Sequence, residues 1–317
     1  MSQKPKKVKN RLNGWINLDK PYGMTSTEAV SRVKRLLSPE KIGHAGTLDP
    51  LATGILPLAL GEATKTVQYA MDAEKTYRFT VKFGEQTTTD DREGEITTTS
   101  DKRPQDTDIK AILKNYIGEI EQIPPVYSAI KIGGERAYDL ARAGAAPKME
   151  PRIVYIDDLQ LIERPDADRA VFEVSSGKGM YVRSLARDIS LALGTVGHVA
   201  DLRRISVGSF DEQNAVLLEE IEKGLPSENV TYITDTDVSV LLPLDVSLDD
   251  IPALRVDQSQ ETRLRHGGEV FVSRACVEDA GHDFGSAGMY RAYSSNTLVA
   301  LVERQGRRLK PVRVFHV

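Results

Sequence analysis

The stretch Lys41–Gly54, KIGHAGTLDPLATG, holds one carboxylate, Asp49, set between Leu48 and Pro50, with glycines at 43, 46 and 54. Two uses of that carboxylate compete. An Asp before a proline commonly opens a turn, and on local sequence alone that reading is favoured. The other use is nucleophilic. Apolar neighbours strip the water that blunts a carboxylate, and glycines let a bulky substrate approach the backbone closely. Burial alone would raise the pKa of Asp49 and neutralise it, so a nucleophile here needs a cation on a rigid element. Arg183, at the start of an amphipathic helical stretch, is a candidate.

The remaining inventory offers little other chemistry. His44, His198, His266, His282 and His316 show no metal-ligand spacing, and the single Cys276 has no partner for a disulfide or a zinc pair. No G-x-S-x-G elbow occurs, and no G-x-G-x-x-G follows a strand. GEATKT, from Gly61, lacks the second glycine of a phosphate loop. The expectation is no metal and no organic cofactor.

The elements that must position these residues follow from periodicity. Residues 14–21 read as a strand closed by Pro21. Thr25-x-x-Glu28 is a capping box opening a helix that must stop near Pro39. Residues 55–60 form a buried strand whose pairing Pro57 restricts, and 62–73 a helix. Residues 75–84 alternate, with Tyr77, Phe79, Val81 and Phe83 on one face. Residues 85–95 read as a polar turn, and Ile109 to Ile117 as a helix ending at Gly118. An extended stretch, a Gly-Gly turn and a short helix follow over 123–144, then strands at 152–163 and 170–176. Residues 177–194 are a loop running into a helix with Gly194 at its C-terminal cap.

Mixed helices and strands without regular βαβ alternation predict an α+β class. The length of 317 residues suggests about two domains. Acidic, aperiodic residues 224–240 mark the boundary, giving units of 11–235 and 241–317. The second unit reads as β-rich, with a helix near 258–265 and strands near 269–273, 287–293, 297–303 and 311–317. No apolar run nears the roughly 18 residues of a membrane span. The N-terminus has no secretory core, and a single cysteine fits a reducing, cytoplasmic setting.

The net charge of −4 conceals an asymmetry. Residues 211–252 hold eleven acidic side chains against Lys223 alone, so this segment carries −10 and the rest of the chain +6. Basic clusters at Lys4–Arg11, Lys131–Arg152 and Arg304–Arg313 are the places to look for a nucleic-acid footprint.

The blocks GWINLDKPYGMTS (14–26) and KIGHAGTLDPLATGILPLALGEATK (41–65) closely resemble the TruB family of tRNA pseudouridine-55 synthases. Three further blocks agree in order: KTYRFTVKFG with TTTDDREG, IPPVYSAIKIGGERAYDLARAG, and SSGKGMYVRSLARDIS with HVADLRRISVG. The resemblance covers most of 11–210. It implies a catalytic domain with a mixed, largely antiparallel sheet flanked by helices, and a small β-rich C-terminal domain of the PUA-like, RNA-binding type. The implied reaction turns a T-arm uridine of tRNA, position 55, into pseudouridine.

On this resemblance Asp49 is the nucleophile and Arg183 its partner. Tyr77, which also suits a core position, stacks on the base and takes the C5 proton. His44 contacts the opened T loop, Tyr181 and Leu202 line the uracil pocket, and Lys20 of the DKP motif, which supports the loop from behind, either touches phosphate or only pairs with a carboxylate. Residues 124–152 resemble an RNA-gripping insertion, with five basic side chains against three acidic ones over 131–152. Met180 departs from the family pattern of a smaller polar residue. The implied partner is the tRNA T stem-loop, engaged by a monomer without an obligatory protein partner or membrane. Two alternatives are an RNA-guided synthase of the archaeal and eukaryotic type and a non-catalytic tRNA-binding or folding protein.

Overall fold

The computed structural model of the chain describes residues 9–128, 130–145, 147–225, 234–272 and 287–317, the side chains of 136, 142 and 236 excepted. Cys276, His282 and positions 4–8 of the Lys4–Arg11 cluster lie outside these residues.

The first half runs β1 (Gly14–Lys20), α1 (Ser26–Leu37), β2 (Ile42–His44), β3 (Ala52–Leu60), α2 (Val67–Asp72), β4 (Lys75–Phe83), β5 (Glu85–Thr87), β6 (Ile96–Thr99), α3 (Asp106–Leu113) and β7 (Gly118–Gln122). The hairpin of β8 (Lys131–Ile132) and β9 (Glu135–Arg136) leads into α4 (Ala137–Arg142). Then come β10 (Arg152–Glu163), β11 (Arg169–Ser176), α5 (Val182–Ala192), β12 (Gly197–Val207), β13 (Phe210–Asp211) and α6 (Leu218–Lys223). The C-terminal part holds β14 (Ala253–Arg255), α7 (Gln258–Arg265), β15 (Val270–Phe271), β16 (Gly288–Ser294), β17 (Thr297–Gln305) and β18 (Arg308–Val314).

Among the described residues, nine strands make the main sheet, in the order β1-β3-β12-β4-β11-β10-β7, with β2 beside β3 and β13 beside β12. All its pairings are antiparallel except β3 with β12, where Ala52–Gly54 run alongside Leu202–Arg204. The sheet is therefore mixed and largely antiparallel, as expected for the α+β class. A second sheet, β14-β16-β17-β18-β15, is built from the C-terminal residues.

Local sequence explains the helices that position the site. At the start of α1 the Thr25 Oγ1 accepts from Glu28 N at 3.1 Å, and the Glu28 carboxylate accepts from Thr25 N at 2.8 Å, closing the capping box. Ala29, Val33 and Leu37 then recur on one face and are fully buried. In β3, Leu56, Leu58 and Leu60 enter one core while Ile55 and Ala59 enter another. A strand buried on both faces reads as a continuous apolar run rather than an alternation.

On one face of the sheet, α3 and α5 pack over β4, β10 and β11, and α1 and α6 pack over β1 and β3. Tyr77 and Leu202 touch both clusters and lie on the seam between them. On the other face Trp15, Ile55, Val207 and Phe210 share one core with Leu244, Leu248, Leu298, Leu301 and Phe315 from the C-terminal part. No helix among the described residues is long and apolar enough to cross a membrane.

Several local expectations are corrected. Residues 62–73 are not one helix: a 3₁₀ turn, Gly61–Lys65, ends where Thr66 N bonds back to Ala63 O at 3.0 Å, and α2 starts anew. The strand expected at 55–60 starts earlier, at Ala52, and contains Pro57. The proline falls between the stretch paired to β12, which ends at Gly54, and the stretch paired to β2, which begins at Leu58. The helix expected to reach Gly118 is α3 followed by the 3₁₀ turn Lys114–Tyr116. The polar 85–95 segment includes β5, which pairs with β6. Of the aperiodic 224–240 segment, residues 226–233 lie outside the described part. The described remainder is docked rather than loose, with Asp235 accepting from Asn13 N at 2.8 Å and Val238 buried in the α1 core. The strand expected over 269–273 is described only as β15, residue 273 lying outside.

Candidate active site

Asp49 sits in the loop between β2 and β3, at the mouth of the seam marked by Tyr77 and Leu202. The loop is held from behind by the turn after β1. Ser26 Oγ donates to Leu48 O at 3.0 Å and accepts from Leu48 N at 2.8 Å, while Gly23 N donates to Pro50 O at 2.9 Å. Leu48 is buried, and the Asp49 side chain remains 44% exposed. The residues flanking the carboxylate anchor the loop in the core, and the carboxylate itself faces out.

Arg183, on the first turn of α5, reaches across the seam. Its Nη2 lies 3.0 Å from Asp49 Oδ2, and its Nη1 lies 3.6 Å from Asp91 Oδ2. The same guanidinium donates to Thr89 O at 3.1 Å and Tyr127 O at 2.9 Å. With the Arg183 side chain only 9% exposed, this fork is fixed in place by four partners. One turn further along α5, Arg187 pairs with Asp90 at 3.2 Å. Burial raises the Asp90 pKa, against the opposing pull of Arg187 and Arg183.

Tyr77 on β4 stands opposite Val174 on one side and Arg204 on the other. Arg204 is 1% exposed and donates to Ile55 O at 2.7 Å and Gly46 O at 3.1 Å. Burial pushes its pKa down, and the neighbouring Tyr77 hydroxyl opposes that shift. Arg204 also explains two glycines of the loop. At Gly54, with φ +99°, a Cβ would stand 2.2 Å from Arg204 O, and at Gly46, with φ +97°, it would meet the guanidinium at 3.3 Å. These glycines admit a neighbouring strand and its arginine, which corrects the reading that they make room for substrate.

Tyr181 immediately precedes α5. The amide of buried Gln122 grips its backbone, accepting from Tyr181 N at 2.8 Å and donating to Tyr181 O at 3.2 Å. Burial raises the pKa of its phenol. Met180, the departure noted in the sequence, is buried in the α3–α5 core. Leu202 lies across from Ala52 of β3 and Phe79 of β4. His44 pairs with Leu58 at the end of β2, on the Gly46 side of the loop. Burial and the Arg204 charge lower its pKa, with a backbone contribution from Gly46 opposing.

Lys20 is corrected. It is 0% exposed, and its Nζ donates to Pro21 O at 3.0 Å, Met24 O at 2.7 Å and Pro50 O at 3.4 Å. An ammonium so enclosed cannot touch phosphate, and it braces the loop from inside. Burial lowers its pKa to about 8, although Asp49 opposes the shift.

The structure thus brings Asp49, Arg183, Tyr77, Tyr181 and Leu202 to one seam, with Lys20 beneath it and His44 at its flank. Sequence reasoning assigned no role to Asp90, Asp91, Gln122, Arg187 or Arg204. Asp90 and Asp91 stood in the quoted TTTDDREG block, and Arg204 in HVADLRRISVG, so the signal was present without a position. Among the described residues no three His, Cys, Asp or Glu side chains cluster to hold a metal ion.

The fold is shared with solved structures of Cbf5 complexes. A crystal structure of a Cbf5-Nop10-Gar1 complex superposes with a TM-score of 0.70 at 25% identity, covering 99% of this chain and 91% of that one. The Nop10-Cbf5 complex of the archaeal box H/ACA sRNP gives 0.69 at 25%, over 97% and 87%. The description "TruB family pseudouridylate synthase (N terminal domain)" matches residues 34–182, and "tRNA pseudouridylate synthase B C-terminal domain" matches 183–249. The tRNA pseudouridine synthase B of Caulobacter vibrioides is 50% identical over 98% of this chain and 99% of its own length. That of Gluconacetobacter diazotrophicus is 53% identical over 96% and 97%. The chain belongs to the TruB family of pseudouridine synthases.

Proposed function

We propose that this protein isomerises a T-arm uridine of tRNA, position 55, to pseudouridine, with Asp49 as the nucleophile. The observation that carries the reading is the Asp49–Arg183 pair, 3.0 Å apart, beside the seam where Tyr77 and Leu202 meet and within electrostatic reach of Tyr181. A base in a folded loop cannot reach this seam unless it flips out, at a cost of a few kcal/mol in stacking. The flipped uracil lies against Tyr77 and Leu202. Arg183 orients the carboxylate and balances its charge while Asp49 forms a covalent bond to the nucleotide. The C1′–N1 bond breaks and its electron pair stays on N1; the uracil turns, C5 bonds to C1′, the bond to Asp49 breaks and returns its carboxylate, Tyr77 takes the C5 proton, and N1 gains a proton from solvent. Atoms and electrons balance without an oxidant or reductant.

In this reading residues 11–235 are the catalytic unit, with the 124–152 insertion gripping RNA and His44 contacting the opened loop. Residues 241–317 form a PUA-like unit, and the exposed Arg307, Arg308, Lys310 and Arg313 of its β17–β18 hairpin meet phosphate. The protein acts as a monomer, without a protein partner, in the cytoplasm.

The test is tritium release from C5-labelled uridine in a tRNA transcript, using purified protein alone. Wild type releases tritium and Asp49→Asn does not. Release by the variant at the wild-type rate would remove Asp49 from the reaction, and wild-type inactivity without added protein or guide RNA would favour an RNA-guided mode.

A further inference from the structure

A groove of roughly 840 Å³ runs along the outer face of α1, away from Asp49. The helix builds it by period: Ala29, Val33 and Leu37 face the core, leaving Glu28, Arg32 and Arg35 on the opposite face at spacings of four and three. Lys9 and Lys34 complete the lining cations. The one lining carboxylate, Glu28, is taken up by Thr25 in the capping box. Among the described residues neither Lys9, Arg32 nor Lys34 forms an ion pair. The helix dipole accounts for cations in the last turn, where Lys34 and Arg35 lie. It does not account for Arg32 or Lys9.

The groove ends against the turn that backs the Asp49 loop. Its inner wall is the turn Tyr22–Met24, whose Gly23 N bonds Pro50 O, one residue from Asp49. At that junction Tyr22 is 52% exposed, and the Arg92 guanidinium lies over its ring at 4.7 Å. Arg92 in turn follows Asp91, a partner of Arg183. An exposed aromatic ring with a stacked arginine, opening onto a basic channel, is how proteins hold unpaired bases and the strand that follows them.

We propose that this groove is a second RNA-binding surface: Arg32, Lys34 and their neighbours take backbone phosphates of the substrate strand beyond the target uridine, and Tyr22 with Arg92 stacks an unpaired base at the turn that backs the Asp49 loop. The inference rests on the tRNA reading above. Its test is equilibrium binding of a tRNA transcript to the full chain across about 50 to 200 mM salt. Arg32→Glu with Lys34→Glu weakens binding on the order of tenfold at low salt, raises KM in parallel, and flattens the log–log salt slope by about 0.7–0.9 per lost phosphate contact. Tyr22→Ala weakens binding by about five- to a hundredfold, the range of one base–aromatic stack. The milder Arg32→Gln with Lys34→Gln shows the same direction should charge reversal disturb folding. An unchanged affinity and salt slope in all three variants would overturn the proposal, even if the groove then captured an acidic protein. Wild-type protein that binds tRNA with this salt dependence but forms no pseudouridine would sink the catalytic reading and leave the groove standing.

Discussion

Two buried arginines stand on either side of the Asp49 loop, and they do opposite things. Arg183 comes from a helix N-terminus and divides its guanidinium between two carboxylates, Asp49 and Asp91, and two carbonyls. Arg204 comes from the middle of a strand, and its hydrogen bonds go to the carbonyls of Ile55 and Gly46. The first is a charge partner whose fork orients a reactive group. The second is a scaffold whose buried charge satisfies backbone oxygens and faces the hydroxyl of Tyr77. One residue type thus serves chemistry or architecture according to what its element brings within reach.

The comparison can be broken by substitution. Asp49→Asn sets the reference: pseudouridine formation falls on the order of 10⁴-fold or more, while tRNA binding persists. Arg183→Leu lowers kcat by about 10²–10³-fold, the scale of losing one preorganised electrostatic contact. Arg183→Lys recovers only part of this, because an ammonium lacks the fork. Thermal midpoints should separate the two arginines. Arg204→Met lowers stability by about 1–3 kcal/mol through the carbonyls it orphans, less the relief of removing a buried charge. If Arg204→Met left stability untouched while Arg183→Leu collapsed it, the two roles would have to be exchanged.

The smallest effect is a pH slope. Burial lowers the pKa of Lys20 from 10.5 to about 8 in the folded chain, and does the same to Lys75. Between pH 8 and 10.5 the unfolded state therefore binds more protons, and both lysines make stability rise with pH across that window. In Lys20→Met the rise is shallower, which unfolding midpoints at pH 8 and 10 would register. An identical slope in the variant would show that Lys20 is charged to the same extent folded and unfolded.

The parts of this molecule legible in the sequence are those governed by local rules. The capping box at Thr25 and Glu28, the alternation of β4, and the limits of β10 and α7 follow from residues close in sequence. The central strand β12 was not legible. Register shifts at Val199/Asp201 and Arg204/Ser206 break its alternation, and a buried arginine stands where a period-two reading expects an apolar side chain. The site divides along the same line. Asp49 was found through the ordered blocks that resemble the family, and Arg183 also because a carboxylate among apolar neighbours demands a cation, although the structure leaves the Asp49 side chain 44% exposed. Arg204 depends on the parallel pairing of β3 with β12, and Asp91 on the bridge that sets it beside Val199 of β12. Lys20 was misread in one respect, since a lysine's length says nothing about whether its ammonium ends in water or among carbonyls.

The core on the far side of the sheet also has a meaning in time. Trp15, the only tryptophan, bonds Leu244 O through its indole at 3.1 Å and shares its cluster with Leu298, Leu301 and Phe315. The second residue of the first strand is therefore covered by residues made about 300 positions later. At about 5–20 residues per second, that tryptophan waits on the order of 15–60 seconds during synthesis for its lid to arrive. Its fluorescence is a built-in clock for the closing of this core.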